Sequence, residues 1–175
     1  MYFIDTHTHP YLEQFNDDIQ QTMERAFKIG ITKMIVPNVD VDTIEPLHQL
    51  CNLYPENCFP AMALHPSSVD ENYKISMQKI EDVLNTNNYI AIGEAGIDLY
   101  WDKTFEKEQV ICFEQHIDWA YQKALPLIIH CRKSFEEITV SLHKFGKLLP
   151  SSGIFHCFSL FFVSTVVPVN AASLT

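Results

Sequence analysis

The sequence predicts an α/β fold of the TIM-barrel-like (β/α) kind, but incomplete, with about six of the eight βα units of a closed barrel. Short apolar runs alternate six times with amphipathic stripes of helical spacing, and such repeats imply a parallel sheet with helices outside it. The 175 residues are enough for one domain with its own core. A Rossmann-type sheet is the rival, but no G-x-G-x-x-G follows the first apolar run.

The first three units are predicted from short apolar strands followed by helical stripes. Gly30 stands where the first helix needs a C-terminal cap. The third strand closes on His65 and Pro66, and proline removes a backbone donor that strand pairing requires. The predicted strands cover residues 2–4, 33–37 and 58–64, and the helices cover 17–29, 43–53 and 75–86.

The last three units follow the same pattern. Thr104 is the predicted N-cap of a long helix, and Ser134 with Glu137 has the spacing of a capping box at the start of the next one. The predicted strands cover 89–93, 126–129 and 153–155, and the helices run from 104 to about 123 and from 134 to about 146.

Residues that commonly bind metals stand at the ends of these strands. His7 and His9 follow the first strand two positions apart, so an extended backbone turns both imidazoles to one side. Glu94, His130 and His156 each close a later strand. The carboxyl ends of the strands are where active sites of (β/α) barrels are built, and converging imidazoles favour a metal site. For the His7–His9 pair alone, a surface turn would be the simpler reading.

Composition limits the function classes. A net charge of −10 argues against a broad duplex-binding face or a membrane surface, although it permits a nuclease with a small metal-centred pocket. The five cysteines form no C-x-x-C pair, so we expect free thiols in a reducing compartment. We also expect no signal peptide and no membrane span, and hence a cytoplasmic protein.

Five segments in order resemble the TatD family of metal-dependent deoxyribonucleases, within the amidohydrolase-like barrels. They are IDTHTHP at 4–10, ALHP at 63–66, IGEAGIDLYW at 92–101, PLIIHCR at 126–132 and GIFHCFS at 153–159. The resemblance implies a hydrolase that uses one or two divalent ions (Mg²⁺, Mn²⁺ or Zn²⁺) to cleave DNA phosphodiester bonds, from the 3′ end of single strands. DNA is the one partner expected, with no membrane and no protein partner evident.

The resemblance also implies roles for individual residues. Glu94 and Arg132 are the catalytic residues it implies; Arg132 also binds substrate, because a guanidinium matches phosphate oxygens. His65 resembles a substrate contact more than a ligand, and Asp98 either orients a ligand from behind or merely forms a turn. The implied metal ligands are His7, His9, Glu94, His130 and His156, with Glu94 bridging two ions.

Three side chains, Tyr100, Trp101 and Arg132, have alternative readings. Tyr100 and Trp101 either stack on a base or pack under a loop. Arg132 has the alternative of a salt bridge at the rim. Cys131 and Cys157 alternate with ligand positions, so they are expected to point away from the metals.

The resemblance stops after Ser159. We therefore expect residues 1–159 to form a partial TatD-like hydrolase barrel and 160–175 to form a divergent apolar tail, as in a truncated or frame-shifted product. The family would add two further units and a metal-binding Asp, whereas this chain has no Asp or Glu after Glu137. We expect unpaired edges at the first and sixth strands, metal binding, and nuclease activity near background. A related hydrolase of another ester or amide, or a non-catalytic metal-binding remnant, remains the alternative.

Overall fold

The computed structural model describes residues 2–156, which form one parallel sheet flanked by helices. The six strands lie in sequence order, β1-β2-β3-β4-β5-β6, and every neighbouring pair is parallel. The strands are β1 Phe3–Asp5, β2 Ile31–Pro37, β3 Cys58–Met62, β4 Ala91–Asp98, β5 Leu127–Arg132 and β6 Gly153–His156. The helices are α1 Ile19–Lys28, α2 Ile44–Leu53, α3 Tyr73–Thr86, α4 Glu106–Gln122 and α5 Phe135–Phe145. The predicted incomplete (β/α) barrel is confirmed.

One core lies between the helices and the sheet. Each helix presents an apolar stripe to the strands, and burying a side chain of this size contributes about 1.5–3 kcal/mol relative to leaving it in water. The largest fully buried apolar side chains of the helices are Met23, Leu47, Leu50, Ile80, Phe113, Ile117 and Ile138. Gly30, with φ of 97°, follows α1 in the left-handed conformation that its predicted capping role requires.

The fourth and fifth strands run further than predicted. They were expected to end before Glu94 and His130, but both residues lie inside strands. The reason is the close approach of β4 to β5. A Cβ atom on Gly93 would lie 2.5 Å from Cβ of Ile128, and one on Gly96 would lie 2.0 Å from the carbonyl oxygen of His130. Glycines that normally mark a strand end therefore mark strand contact here.

The predicted Thr104 cap is wrong, whereas Ser134 stands at the predicted N-cap position of α5 but lacks the predicted capping bond. Helix α4 begins at Glu106, and the Thr104 hydroxyl instead donates to Asp102 Oδ1 at 2.7 Å. Ser134 does precede α5, but its hydroxyl donates to the Ile97 carbonyl oxygen at 2.5 Å and caps no backbone amide. The capping box with Glu137 is therefore not formed. Ser134 instead ties the start of α5 to β4, the strand that carries Glu94.

The two outer strands differ from the inner ones in exposure. Within residues 2–156, β1 and β6 each pair with a single neighbour, and Ile4 of β1 is 53% exposed. The predicted tail and its boundary at residue 159 lie outside the described residues. No helix in the described part of the chain combines the length and apolarity needed to cross a membrane.

Candidate metal centre

The site is built around the Glu94 carboxylate, which is buried in β4 at the carboxyl end of the sheet. Oε1 lies 2.6 Å from His130 Nδ1, and Oε2 lies 2.9 Å from His7 Nε2. Burial alone would raise the pKa of Glu94, but hydrogen bonds from His130 and His7 outweigh it and hold the pKa well below its usual range. Glu94 is therefore ionised. The histidines within 4.0 Å of its oxygens are His7, His9, His65, His130 and His156.

One candidate ligand group joins the first and the last described strands. His7, Glu94 and His156 each offer an atom, and these atoms lie within 4.8 Å of one another. The rings of His7 and His156 are stacked, with centroids 3.6 Å apart and planes 1° apart. Burial lowers the pKa of His156, which favours the neutral imidazole that a metal requires.

His9 lies beside this group and is held in one orientation. Its Nδ1 donates to the Pro37 carbonyl oxygen at 3.0 Å, so in the neutral ring Nε2 carries no proton. That Nε2 lies 3.0 Å from His7 Nε2. Burial lowers the pKa of His9 to about 4, so the ring is neutral at pH 7. The Tyr11 hydroxyl also donates to the Pro37 oxygen.

A second candidate group consists of His65, Glu94 and His130, with ligand atoms again within 4.8 Å. His130 lies between two carboxylates, because its Nε2 is 2.9 Å from Asp98 Oδ2. Burial opposes its charged form, but Glu94 and Asp98 outweigh that effect and raise the pKa of His130. Both ring nitrogens therefore donate, Nδ1–H to Glu94 and Nε2–H to Asp98, and Nδ1 would offer its lone pair to a cation only after losing its proton. A carboxylate behind a histidine commonly fixes a metal ligand in this way.

His65 differs from the other histidines in which nitrogen carries the proton. Its Nδ1 accepts the Ser67 backbone N–H at 3.1 Å, so the neutral ring is protonated on Nε2. That nitrogen faces His130 Nδ1 at 3.1 Å and Glu94 Oε2 at 3.7 Å. Burial lowers the pKa of His65 to about 4. In this arrangement His65 is a hydrogen-bond donor at the site, which suits a substrate contact better than a ligand.

The remaining predicted residues lie next to His130. The Arg132 guanidinium lies over the ring of Tyr100 at 4.0 Å and that of Trp101 at 5.0 Å. Arg132 forms no ion pair within residues 2–156, so the rim salt bridge is not observed. Cys131 is buried in the core, away from the imidazoles, as expected; Cys157 lies outside the described residues.

The structure adds partners that sequence reasoning missed, and it groups the ligands. The sequence pattern left open which ligands share an ion, and the structure groups His156 with His7 and Glu94. The Pro37 carbonyl, Tyr11 and Ser67 were not identified. Tyr11 follows His9 by two positions, and that alternation was the one available signal.

The donors present fit a divalent cation. Imidazole nitrogens that are unprotonated, or that can lose their proton, surround one buried, ionised carboxylate. Mixed nitrogen and oxygen donors of this kind suit Zn²⁺ and Mn²⁺. A parallel (β/α) sheet with such a cluster at its carboxyl end defines the class of metal-dependent hydrolases built on this barrel. The chain belongs to the TatD family: the family model described as TatD related DNase matches residues 4–161. The predicted family is confirmed.

Relatives extend beyond the length of this chain. It is 30% identical over 160 residues to the uncharacterized metal-dependent hydrolase YjjV of Escherichia coli K12, covering 90% of this chain and 60% of that protein. It is 27% identical over 147 residues to the 3′-5′ ssDNA/RNA exonuclease TatD of Edwardsiella piscicida, covering 83% and 56%. The chain thus spans about 60% of the length of the curated relatives it matches.

Solved structures agree with the fold. The crystal structure of YjjV, a TatD homolog from Escherichia coli K12, matches with a TM-score of 0.81 at 28% identity, covering 90% of this chain and 61% of that chain. A TatD family hydrolase from Entamoeba histolytica matches with a TM-score of 0.73 at 19% identity, covering 90% and 58%, and shows the shared fold alone.

Proposed function

We propose that this chain is a metal-dependent hydrolase of the TatD type that cleaves phosphodiester bonds of DNA, from the 3′ end of single strands. The observation that carries the proposal is Glu94, an ionised and buried carboxylate that belongs to both candidate ligand groups, with one oxygen 2.9 Å from His7 and the other 2.6 Å from His130. The proposed metal ligands are His7, His9, Glu94, His130 and His156.

Each part of the chain's own machinery has a task in this proposal. A bound divalent ion supplies Lewis acidity and acidifies water at the site. Glu94 supplies the fixed negative charge that holds cations. The Pro37 carbonyl holds His9 in the tautomer that points a lone pair inward, and Asp98 does the same for His130 once its Nδ1 has lost the proton.

Substrate binding is assigned to two donors at the edge of the cluster. Arg132 follows His130 by two positions in β5 and supplies a permanent positive charge for phosphate oxygens. His65 offers its Nε2–H at 3.7 Å from Glu94 Oε2. These local donors answer the objection that a chain of net charge −10 repels DNA, since the substrate needs to meet only one small site.

The proposed preference for single strands and for the 3′ end is suggested by the names of relatives. The Edwardsiella protein is called a 3′-5′ ssDNA/RNA exonuclease, so single-stranded DNA and RNA are the substrates to try first. We place the protein in the cytoplasm as part of the proposal. Cys51, Cys58, Cys112 and Cys131, the cysteines of the described residues, are all free thiols, as in a reducing compartment.

The proposed function is tested by digestion of 5′-labelled single-stranded DNA with Mn²⁺ or Mg²⁺, read as a ladder that shortens from the 3′ end. We expect shortening that Glu94→Ala abolishes.

The outcomes separate the alternatives. Metal bound by calorimetry, with DNA cleavage equal to that of Glu94→Ala, would leave a non-catalytic metal-binding remnant. Glu94-dependent cleavage of carboxylic esters but not of DNA would assign the site to a different hydrolase. RNA cleaved in place of DNA would correct the substrate but keep the phosphodiesterase.

A further inference from the structure

The loop after β4 carries two exposed aromatic side chains that the proposed chemistry does not use. Tyr100 is 49% exposed and Trp101 is 74% exposed, whereas Trp119, the other tryptophan, is 4% exposed. An indole that remains mostly in water contributes little of the burial energy for which tryptophan serves in a core. Packing therefore does not account for Trp101.

Arg132 links these aromatics into one surface. Its guanidinium contacts the Tyr100 ring at 4.0 Å and the Trp101 ring at 5.0 Å, and the two rings meet edge to face with centroids 4.7 Å apart. A cation–π contact at an exposed position contributes about 0.5–1 kcal/mol. That is enough to fix the direction of the guanidinium but little for overall stability. We call Tyr100, Trp101 and Arg132 the aromatic platform.

The aromatic platform is attached directly to the metal centre. Asp98 accepts the Tyr100 backbone N–H at 2.9 Å on Oδ1, while Oδ2 faces His130. The Leu99 backbone N–H donates to the Arg132 carbonyl oxygen at 2.9 Å. The loop therefore has a fixed position beside His130, a proposed metal ligand.

A small cavity opens beside Trp101 on the side of His65. Its volume is about 100 Å³, and its apolar lining comes from Pro66, Val69, Phe105 and Trp101. Ser67, whose backbone N–H fixes the His65 ring, lies at its edge. Asp98, Asp102 and Gln109 complete the lining, so the cavity combines apolar walls with polar side chains.

We propose that the aromatic platform is a nucleotide subsite, in which Arg132 binds a backbone phosphate and Trp101 stacks on the neighbouring base. The inference rests on the proposed function and names its substrate class more closely: a nucleotide chain that carries bases, not a bare phosphodiester. Stacking accepts every base, because each has a π face. The subsite therefore favours single strands, whose bases are free to leave the stack, without selecting a sequence.

The test compares binding of two oligonucleotides to the EDTA-treated chain, where no cleavage occurs. One is a 5′-fluorescein-labelled thymidine tetramer, and the other is the same chain with abasic units at its 3′ end. Aromatic stacking contributes about 1–3 kcal/mol per base, which corresponds to about 5- to 150-fold in affinity. We expect Trp101→Ala to weaken binding of the base-bearing tetramer by that factor and to change binding of the abasic tetramer less than twofold.

Three further variants make the result specific. Trp101→Phe is expected to restore most of the affinity, and Arg132→Gln to weaken both oligonucleotides alike. Tyr121→Ala removes an exposed aromatic of α4 and is expected to change neither. Equal weakening of both oligonucleotides by Trp101→Ala would show that Trp101 acts only through Arg132 and would overturn the proposal, as would no weakening at all.

The platform and the proposed function fail separately. If DNA cleavage depends on Glu94 but oligonucleotide affinity is unchanged in Trp101→Ala, the platform alone is overturned. A base-dependent loss of binding in Trp101→Ala, without any cleavage in Mn²⁺, would keep the platform and overturn the phosphodiesterase.

Discussion

Replacing Asp98 by asparagine tests whether a buried carboxylate orients a metal ligand. Asp98 is 5% exposed, and both its oxygens accept hydrogen bonds at 2.9 Å, one from His130 Nε2–H and one from the Tyr100 backbone N–H. Asparagine has the same shape but a single acceptor. Its amide nitrogen must then face one of two N–H donors, so either the His130 ring or the loop loses its partner.

The size of the effect follows from the role of such partners. Removing a carboxylate that orients a metal-binding histidine costs about 10–100-fold in metal affinity. Titration calorimetry of the metal-free protein with Mn²⁺ or Zn²⁺ at pH 7.5 measures this. We expect the loss at the ion that His130 binds, with little change at the one held by His7 and His156. The removal of Asp98 also lowers the pKa of His130, because one of the two carboxylates that raise it is gone.

A matched control lies four residues further along the same loop. Asp102 accepts the Thr104 backbone N–H and hydroxyl and touches no imidazole of the site. Asp102→Asn is expected to bind metal as the wild type does. The reasoning is refuted if Asp98→Asn keeps wild-type affinity, or if Asp102→Asn weakens binding equally.

Three further outcomes are expected. Glu94→Gln removes the carboxylate shared by both ligand groups, so calorimetry should show weaker binding at both ions than in Asp98→Asn; unchanged affinity would exclude Glu94 as a ligand. Gly96→Ala places a Cβ against the His130 carbonyl oxygen, so urea denaturation should show a free energy of unfolding lower by about 3 kcal/mol. Gly146→Ala is the control, because Gly146 has open space around it but a φ of 51°. Its free energy of unfolding should fall by about 1 kcal/mol. His116 is fully buried and burial lowers its pKa to about 4, so the unfolded chain, with pKa 6.5, binds the proton more readily. The stability that depends on a neutral His116 is therefore present above pH 6.5 and is lost as pH falls toward 4, by about 2 kcal/mol. His116→Gln in EDTA should flatten the stability profile by that amount, and an unchanged profile would contradict the assignment.

The order of the sheet could be predicted because it depends on local signals. Each strand is a short apolar run, each helix has a stripe, and a right-handed crossover places consecutive strands side by side. The strand ends could not be predicted in the same way. Gly93 and Gly96 look like breakers in sequence, and only the position of β5 shows that they allow two backbones to touch.

The candidate site was predictable in membership but not in grouping. The alternation of His7 and His9, and the strand-end positions of Glu94, His130 and His156, all follow from chain geometry. Which histidine meets which oxygen of Glu94 depends on how tightly the sheet curls, and no local pattern encodes that. The proton position on His65 likewise depends on Ser67, whose backbone N–H is invisible to side-chain motifs.

The stacked pair His7 and His156 has a consequence for how the protein folds and loads metal. These residues come from opposite ends of the described sheet, so their group exists only after all six strands are in place. A cation bound by His7 and His156 would link the two ends of the curved sheet. Its binding energy would stabilise the sheet as a whole, by about 2.7 kcal/mol at a free concentration one hundred times Kd. Occupancy of this group therefore reports that all six described strands are in place, whereas the group of His65, Glu94 and His130 does not depend on the first or the last strand.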